Sequence, residues 1–272
     1  MHSMYSPHVR RQATSLLDSG ISYSEVAQRT GINRSTLRTW MTDRSLVDKY
    51  QDTDLCPRCE PIPRPPADGR SYAYLLGLYL GDGGITPAGD PAKGVWRLRI
   101  MCGDDWPGLI DECVLAMSSI RPAHKVSRVP SQGCTEVHGN WKHWPCVFPQ
   151  HGPGKKHDRR ILLEKWQQEI VDAKPQTLVR GLIHSDGCRL INRIRKKRPD
   201  GETKSYEYPR YQFTNVSTDI TGLLTTTLDR LGVAWRTQVR KRSEPRHRET
   251  HVISISRREA VARMDSFVGP EY

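Results

Sequence analysis

The sequence predicts an α+β fold in which a large unit of two pseudo-symmetric halves follows a small all-α unit. Three observations point there. Leu75–Gly84 (LLGLYLGDGG) and Leu178–Gly187 (LVRGLIHSDG) are near-copies, each an apolar run with glycine near its start that ends in Asp-Gly. Their aspartates, Asp82 and Asp186, stand 104 positions apart, the spacing of an internal duplication at domain-half length. After each copy, strand and helix patterns recur in the same order, whereas the first fifty residues carry only helical periodicity.

Bulk properties narrow the function. A chain of 272 residues is long enough for one large domain and a small one. Lys and Arg outnumber Asp and Glu by 42 to 30, a net charge of +12, which favours a polyanionic partner, most often nucleic acid. Seven irregularly spaced cysteines argue against a disulfide framework. The opening segment MHSMYSPHVRRQ has no apolar signal region, and no run of eighteen or more apolar residues exists. The expectation is a cytoplasmic protein, nucleoid-associated in a prokaryote, with no membrane partner and no small-molecule substrate.

Residues 1–50 read as three helices. His8–Asp18 carries Val9, Ala13, Leu16 and Leu17 on one side, with Gly20 as a stop. Ser22–Glu25 is a capping-box pattern that opens Glu25–Thr30. Gly31 supplies a turn and Asn33 caps Arg34–Met41. Ile21, Val26, Ala27, Ile32, Leu37 and Trp40 face inward, which leaves Arg34, Ser35, Thr36, Arg38 and Thr39 outward. This segment resembles a helix-turn-helix DNA-binding unit, and the resemblance makes Arg34–Met41 the recognition helix that offers those five side chains to base edges and phosphates.

Residues 51–71 form a linker, Pro-rich from Leu55 to Arg70. Its Cys56 and Cys59 are either half of a zinc knuckle, completed from Cys134, His138, His143 and Cys146, or simply two reduced thiols.

Residues 72–272 hold the repeats, 72–174 and 175–272. The first predicts a helix at Tyr72–Asp82, a strand at Val95–Met101, a helix at Asp105–Ser119, strands at Lys125–Val129 and Thr135–Phe148, and a helix at Leu162–Val171. The second predicts a helix at Gln176–Asp186, strands at Arg189–Arg195 and Tyr208–Val216, a helix at Thr218–Leu231, strands at Trp235–Arg240 and Val252–Ser256, and a helix at Arg257–Phe267. Cys146–Arg160, rich in Gly, Pro and basic residues, reads as an irregular surface segment. Period-two alternation separates Arg97 and Arg99 from Trp96, Leu98 and Ile100. It likewise separates Arg210, Gln212 and Thr214 from Tyr211 and Phe213, and Arg236, Gln238, Arg240 and Arg242 from Trp235, Thr237 and Val239. Each strand thus has an apolar face and a mostly basic face suited to a DNA groove.

Gly77 and Gly81 lie four apart on one predicted helix, and Gly181 and Ser185 on the other, a spacing that lets two backbones approach closely. Gly83 and Gly187 stand where C-cap glycines belong. A carboxylate at the negative end of a helix is unfavourable, and two together repel, so a divalent cation with hard oxygen ligands relieves both.

On these residues the repeats resemble the paired motifs of the LAGLIDADG homing-endonuclease family in its single-chain form. The resemblance implies two αββαββα repeats that form a saddle on double-stranded DNA. It also implies Asp82 and Asp186 as catalytic metal ligands, with the carbonyls of Gly81 and Ser185 as further ligands and Mg2+ as the cofactor. The motif's other acidic position holds Leu80 and His184, the latter read as a packing or hydrogen-bonded histidine. Family members keep a lysine or glutamine near the acids to polarise the scissile phosphate, and Lys142 and Lys241 are the candidates by position. The implied function is metal-dependent, sequence-specific double-strand DNA cleavage. The alternative is a helix-turn-helix transcription regulator that keeps the fold without cutting. Two internal repeats make a monomer sufficient, while the helix-turn-helix leaves a dimer open.

Overall fold

The computed structural model describes residues 5, 7–48, 65–90, 93–121, 125–197, 202–240 and 249–269. The chain divides into two compact units, Met1–Leu55 and Cys56–Tyr272.

In the first unit, helices α1 (Pro7–Asp18), α2 (Tyr23–Thr30), α3 (Arg34–Thr42) and α4 (Ser45–Asp48) enclose a core of Ala13, Leu17, Val26, Ile32, Leu37, Trp40 and Val47. The turn between α2 and α3 depends on Gly31, whose φ of 69° is a left-handed conformation that side-chain-bearing residues resist. Asn33 caps α3 by accepting from the Ser35 amide at 3.0 Å. Of the expected capping box, Ser22 accepts from the Glu25 amide at 3.2 Å, while the Glu25 carboxylate pairs with Arg29 instead of reaching back. Helix α4 has no counterpart in the sequence reading.

The second unit holds the duplication. The first half runs α5 (Gly69–Asp82), β1 (Gly83–Pro87), β2 (Trp96–Gly103), α6 (Pro107–Ile120), β3 (Val126–Ser131), β4 (Cys134–Trp141), α7 (Trp144–Val147) and α8 (Lys165–Ala173). The second runs α9 (Pro175–Asp186), β5 (Gly187–Lys197), β6 (Thr203–Asn215), α10 (Thr218–Arg230), β7 (Arg236–Arg240), β8 (Thr250–Ile255) and α11 (Arg258–Val268). The two antiparallel sheets have matching strand orders, β1-β2-β4-β3 and β5-β6-β8-β7. Each begins at the glycine that follows a motif aspartate, and the registers correspond: Gly83 faces Ile100, and Gly187 faces Phe213. This is the expected α+β class. One element is new and two readings need correction. β1 was not foreseen, because GGITP has neither alternation nor strand-forming composition. The second part of the predicted strand Thr135–Phe148 is helix α7, because Trp144, Val147 and Phe148 form a continuous apolar group that packs into the core. For the same reason Cys146–Arg160 is not wholly a surface segment: Val147 and Phe148 are fully buried, and a single 3-10 turn covers Lys156–Asp158.

Helices α5 and α9 meet at the centre of this core, and glycine decides how closely. A Cβ on Gly77 would lie 2.7 Å from the Gly181 carbonyl carbon, and one on Gly181 would strike the Tyr74 carbonyl oxygen. A Cβ on Gly81 would run into the Ser185 side chain. The expectation of close backbone approach holds. Gly83 and Gly187 stand at the C-caps as expected, with φ values of −91° and −109° that are extended. They are glycines for lack of room, since a Cβ would fall 2.5 Å from Tyr79 Cα in one case and 2.7 Å from Ile183 Cα in the other.

On the sheets, Leu98, Ile100 and Val137 in one half and Tyr211 and Phe213 in the other are buried on the helix side. The alternating residues therefore occupy the opposite faces. β5 and β6 continue as a two-stranded ribbon beyond the last β6–β8 pair, Tyr211 with Ile255.

Candidate active site

Asp82 and Asp186 end the two abutting helices. A Cβ placed on Gly81 would sit 3.3 Å from the Asp186 carboxyl carbon, so the second acid lies directly against the last turn of α5. Both carboxyls are raised above the ordinary carboxylate range. Asp82 reaches about 6, first because packed protein replaces water around it and next because of the Asp186 charge. Asp186 is raised by loss of hydration, offset by two groups: the Asn215 amide, which donates to Oδ2 at 2.5 Å, and Lys156. Asn215 is fixed in turn because its own oxygen accepts from the Ser217 amide at 2.7 Å, ahead of α10. The register places Cys102 at the equivalent point of the first half, a free thiol that hydrogen-bonds with the free thiol of Cys113. The two acids are thus paired in position but held differently.

The charge of Lys156 acts on both acids. Its ammonium donates to the carbonyls of Tyr79, Gly81 (2.7 Å) and Gly83 (3.0 Å) and lies 5.2 Å from the centre of the Tyr79 ring. These carbonyls belong to the C-terminal end of α5 and its exit, where acceptors have no helical partner and the dipole is negative. Burial pulls the ammonium down to about 8, against the upward effect of Asp186 and Asp82. Lys142 lies in the turn after β4. Lys241 lies outside the described residues. Neither Lys156 nor Asn215 was found from sequence. Lys156 sits in a Gly-Pro-Gly-Lys-Lys stretch with no periodicity, and Asn215 had only its position at a strand end.

The donor set suits a hard divalent cation: two crowded carboxylates and the Gly81 carbonyl, which already accepts a cationic group from Lys156. Among the described residues no cluster of three or more His, Cys, Asp or Glu side chains forms. Water and phosphate oxygens would therefore complete any coordination shell. By the same observation no three of Cys134, His138, His143 and Cys146 come together; Cys56 and Cys59, the other half of the expected zinc site, lie outside the described residues. The Ser185 side chain turns inward, donating to the Gly181 and Leu182 carbonyls at 3.0 Å each. His184 is a structural histidine. It accepts from the Tyr74 hydroxyl at 3.0 Å, and its other nitrogen meets the Val268 carbonyl at 3.1 Å. Burial and then Arg180 lower it to about 4.

The basic strand residues stand where alternation put them. Arg99 is exposed, Arg97 donates to Asn140 at 3.1 Å, and Arg210 donates to Gln212 at 3.0 Å. Arg236, Gln238 and Arg240 are exposed on the same face as Gln212, while Arg242 lies outside the described residues. In the small unit, Ser35, Arg38 and Thr39 are exposed along α3, with Thr36 less so; Arg34 donates to Ser24, and Arg38 lies 5.8 Å over the Tyr23 ring.

Residues 2–53 match the model of the HTH_Tnp_1 family, described as transposase. No curated protein matches the chain. Similar solved structures are LAGLIDADG homing endonucleases. I-DmoI in complex with DNA and Mn is 17% identical, with a TM-score of 0.46 over 75% of this chain and 99% of that one. The LAGLIDADG meganuclease I-AabMI bound to uncleaved DNA is 12% identical, with a TM-score of 0.43 over 72% and 82%. The K262A mutant of I-SmaMI is 10% identical, with a TM-score of 0.44 over 72% and 84%.

Proposed function

We propose that this protein is a metal-dependent endonuclease that cuts both strands of duplex DNA at a specific site, with its helix-turn-helix unit adding target affinity. One observation carries the reading. Two carboxylates stand at abutting helix ends, each raised by burial, and the charge of one buried ammonium, Lys156, acts to lower both. Packing alone would put apolar or amide side chains there. A regulator that only binds DNA needs neither the acids nor the lysine.

A bound divalent ion, Mg2+ by its preference for hard oxygen ligands, would lower the pKa of water and stabilise the departing oxygen of a phosphodiester. Asp82, Asp186 and the Gly81 carbonyl would hold it. Asn215 orients Asp186 and keeps one of its oxygens engaged. Lys156 is a built-in positive charge at the same point, able to donate to a non-bridging phosphate oxygen once substrate draws it from the carbonyls. Arg97, Arg99, Arg210, Gln212, Gln238 and Arg240 would face the major groove, where arginine and glutamine distinguish guanine and adenine.

The test recovers genomic fragments that the protein binds, then incubates them with protein and Mg2+. Discrete double-strand breaks with wild type, and none with Asp82→Asn/Asp186→Asn, are expected. Bound fragments left intact under all metal conditions would end the nuclease reading. Mn2+ binding, followed by paramagnetic resonance, should be lost in the double variant.

A further inference from the structure

We propose that the cleft between β7, β8 and the start of α11 is a phosphate clamp that grips one DNA phosphodiester a few nucleotides from the second catalytic acid; the proposal deepens the endonuclease reading and rests on it. The cleft has a volume of about 250 Å³ and is lined by Ala234, Trp235, Arg236, Ser254, Ser256 and Arg257. A water takes about 30 Å³ of liquid, so a phosphate group fits with room to spare. Its chemistry is one-sided. Two arginines, two serines and a tryptophan line it, and no Asp or Glu does. Among the described residues neither guanidinium forms an ion pair. Adjacent like charges without a counter-ion disfavour the empty site, and a guanidinium fork matches the oxygens of a phosphate. α11 opens at the rim without a side-chain cap, since Arg257 precedes it and guanidinium can only donate.

Its place in the sheet gives it a role. Arg236 pairs with Ser254, Ser254 with Gln212, and Gln212 with Cys188, two residues beyond Asp186. That row crosses the four strands of the sheet, so the clamp stands about 14 Å from the β5 end of the row. The cleft exists because the halves differ. β4 is joined to α8 by residues 142–164, which include Lys156. β8 is joined to α11 by Ser256 and Arg257 alone. Among the described residues the second half has no counterpart of Lys156, and the clamp supplies positive charge from another direction.

The test uses the full chain and sheared mixed-sequence duplex DNA without divalent metal, with affinity followed by fluorescence anisotropy from about 50 to about 200 mM salt. Arg257→Gln should weaken binding to all sequences alike and lower the salt slope by about 1, and Arg236→Gln/Arg257→Gln by about 2. Arg258→Gln, one residue along and outside the cleft, should leave the slope unchanged. Thermal melts check that each variant folds. An unchanged slope for Arg257→Gln, or an equal drop for Arg258→Gln, overturns the clamp while leaving DNA binding intact. Absence of DNA binding by wild type overturns the reading beneath it. Phosphorus resonance with inorganic phosphate alone separates the two sources of the ligand. Tight binding lost in Arg257→Gln, with the DNA slope unmoved, would make the cleft a free-phosphate pocket and overturn the diester assignment.

Discussion

Lys156 reaches the acid pair from a segment whose sequence shows no sign of it. Helix periodicity exposed Asp82 and Asp186 because their apolar runs and terminal Asp-Gly are repeated. A lysine in a Gly-Pro loop 74 residues later has only tertiary structure to place it, so Lys142 and Lys241 were plausible substitutes. Replacing Lys156 by Met should reduce single-turnover cleavage by about 100-fold or more, the scale of losing one preorganised donor; Lys142→Met should change it little. Asp82 makes a prediction of opposite sign for stability. Its folded pKa of about 6 exceeds the ordinary value of 3.8, so the folded state holds the proton more tightly. Its favourable contribution is complete below pH 3.8 and is lost as pH rises through 6. Above that window the ionised group is a liability in metal-free protein. Asp82→Asn should therefore raise stability near neutral pH by about 1 kcal/mol, discounted for the solvent that reaches Asp82. The gain should vanish towards pH 4. Thermal melts in chelator across that range check both statements.

At the scale of elements, legibility followed redundancy. The motif helices, the basic strands and most of the outer helices showed in periodicity because several residues voted together. β1 has two glycines, a proline and no alternation, and it became a strand only because β2 lies beside it. α7 was lost because a short apolar run reads equally as buried strand or helix. Gly83 and Gly187 were located correctly at the helix ends, but their role was not legible: a glycine that ends a helix looks the same in sequence whether it permits a left-handed turn or makes lateral room. Two substitutions separate crowding from conformational freedom. Gly77→Ala pushes a carbon into the α9 backbone and should cost about 3 kcal/mol or more. Gly222→Ala, in α10 with nothing within 4 Å, should stabilise by about 0.5–1 kcal/mol. Urea unfolding of both variants is the measurement.

The whole molecule is two units with two cores, one gathered around Trp40 and one around the α5–α9 seam. A unit of some fifty residues has little stability to spare, and removing a buried tryptophan costs about 3–5 kcal/mol. Trp40→Ala should unfold the helix-turn-helix unit and weaken DNA affinity, while the calorimetric transition of the large unit keeps its midpoint. A single transition shifted as one would show that the units unfold together. The seam itself constrains anyone who would recombine this chain with a relative to retarget it. Where Gly77 meets Gly181, neither backbone leaves space for a methyl group on the other, so a transplanted half must bring its own bare stretch of backbone to the join. A chimera would succeed or fail there before its groove-facing side chains had any say.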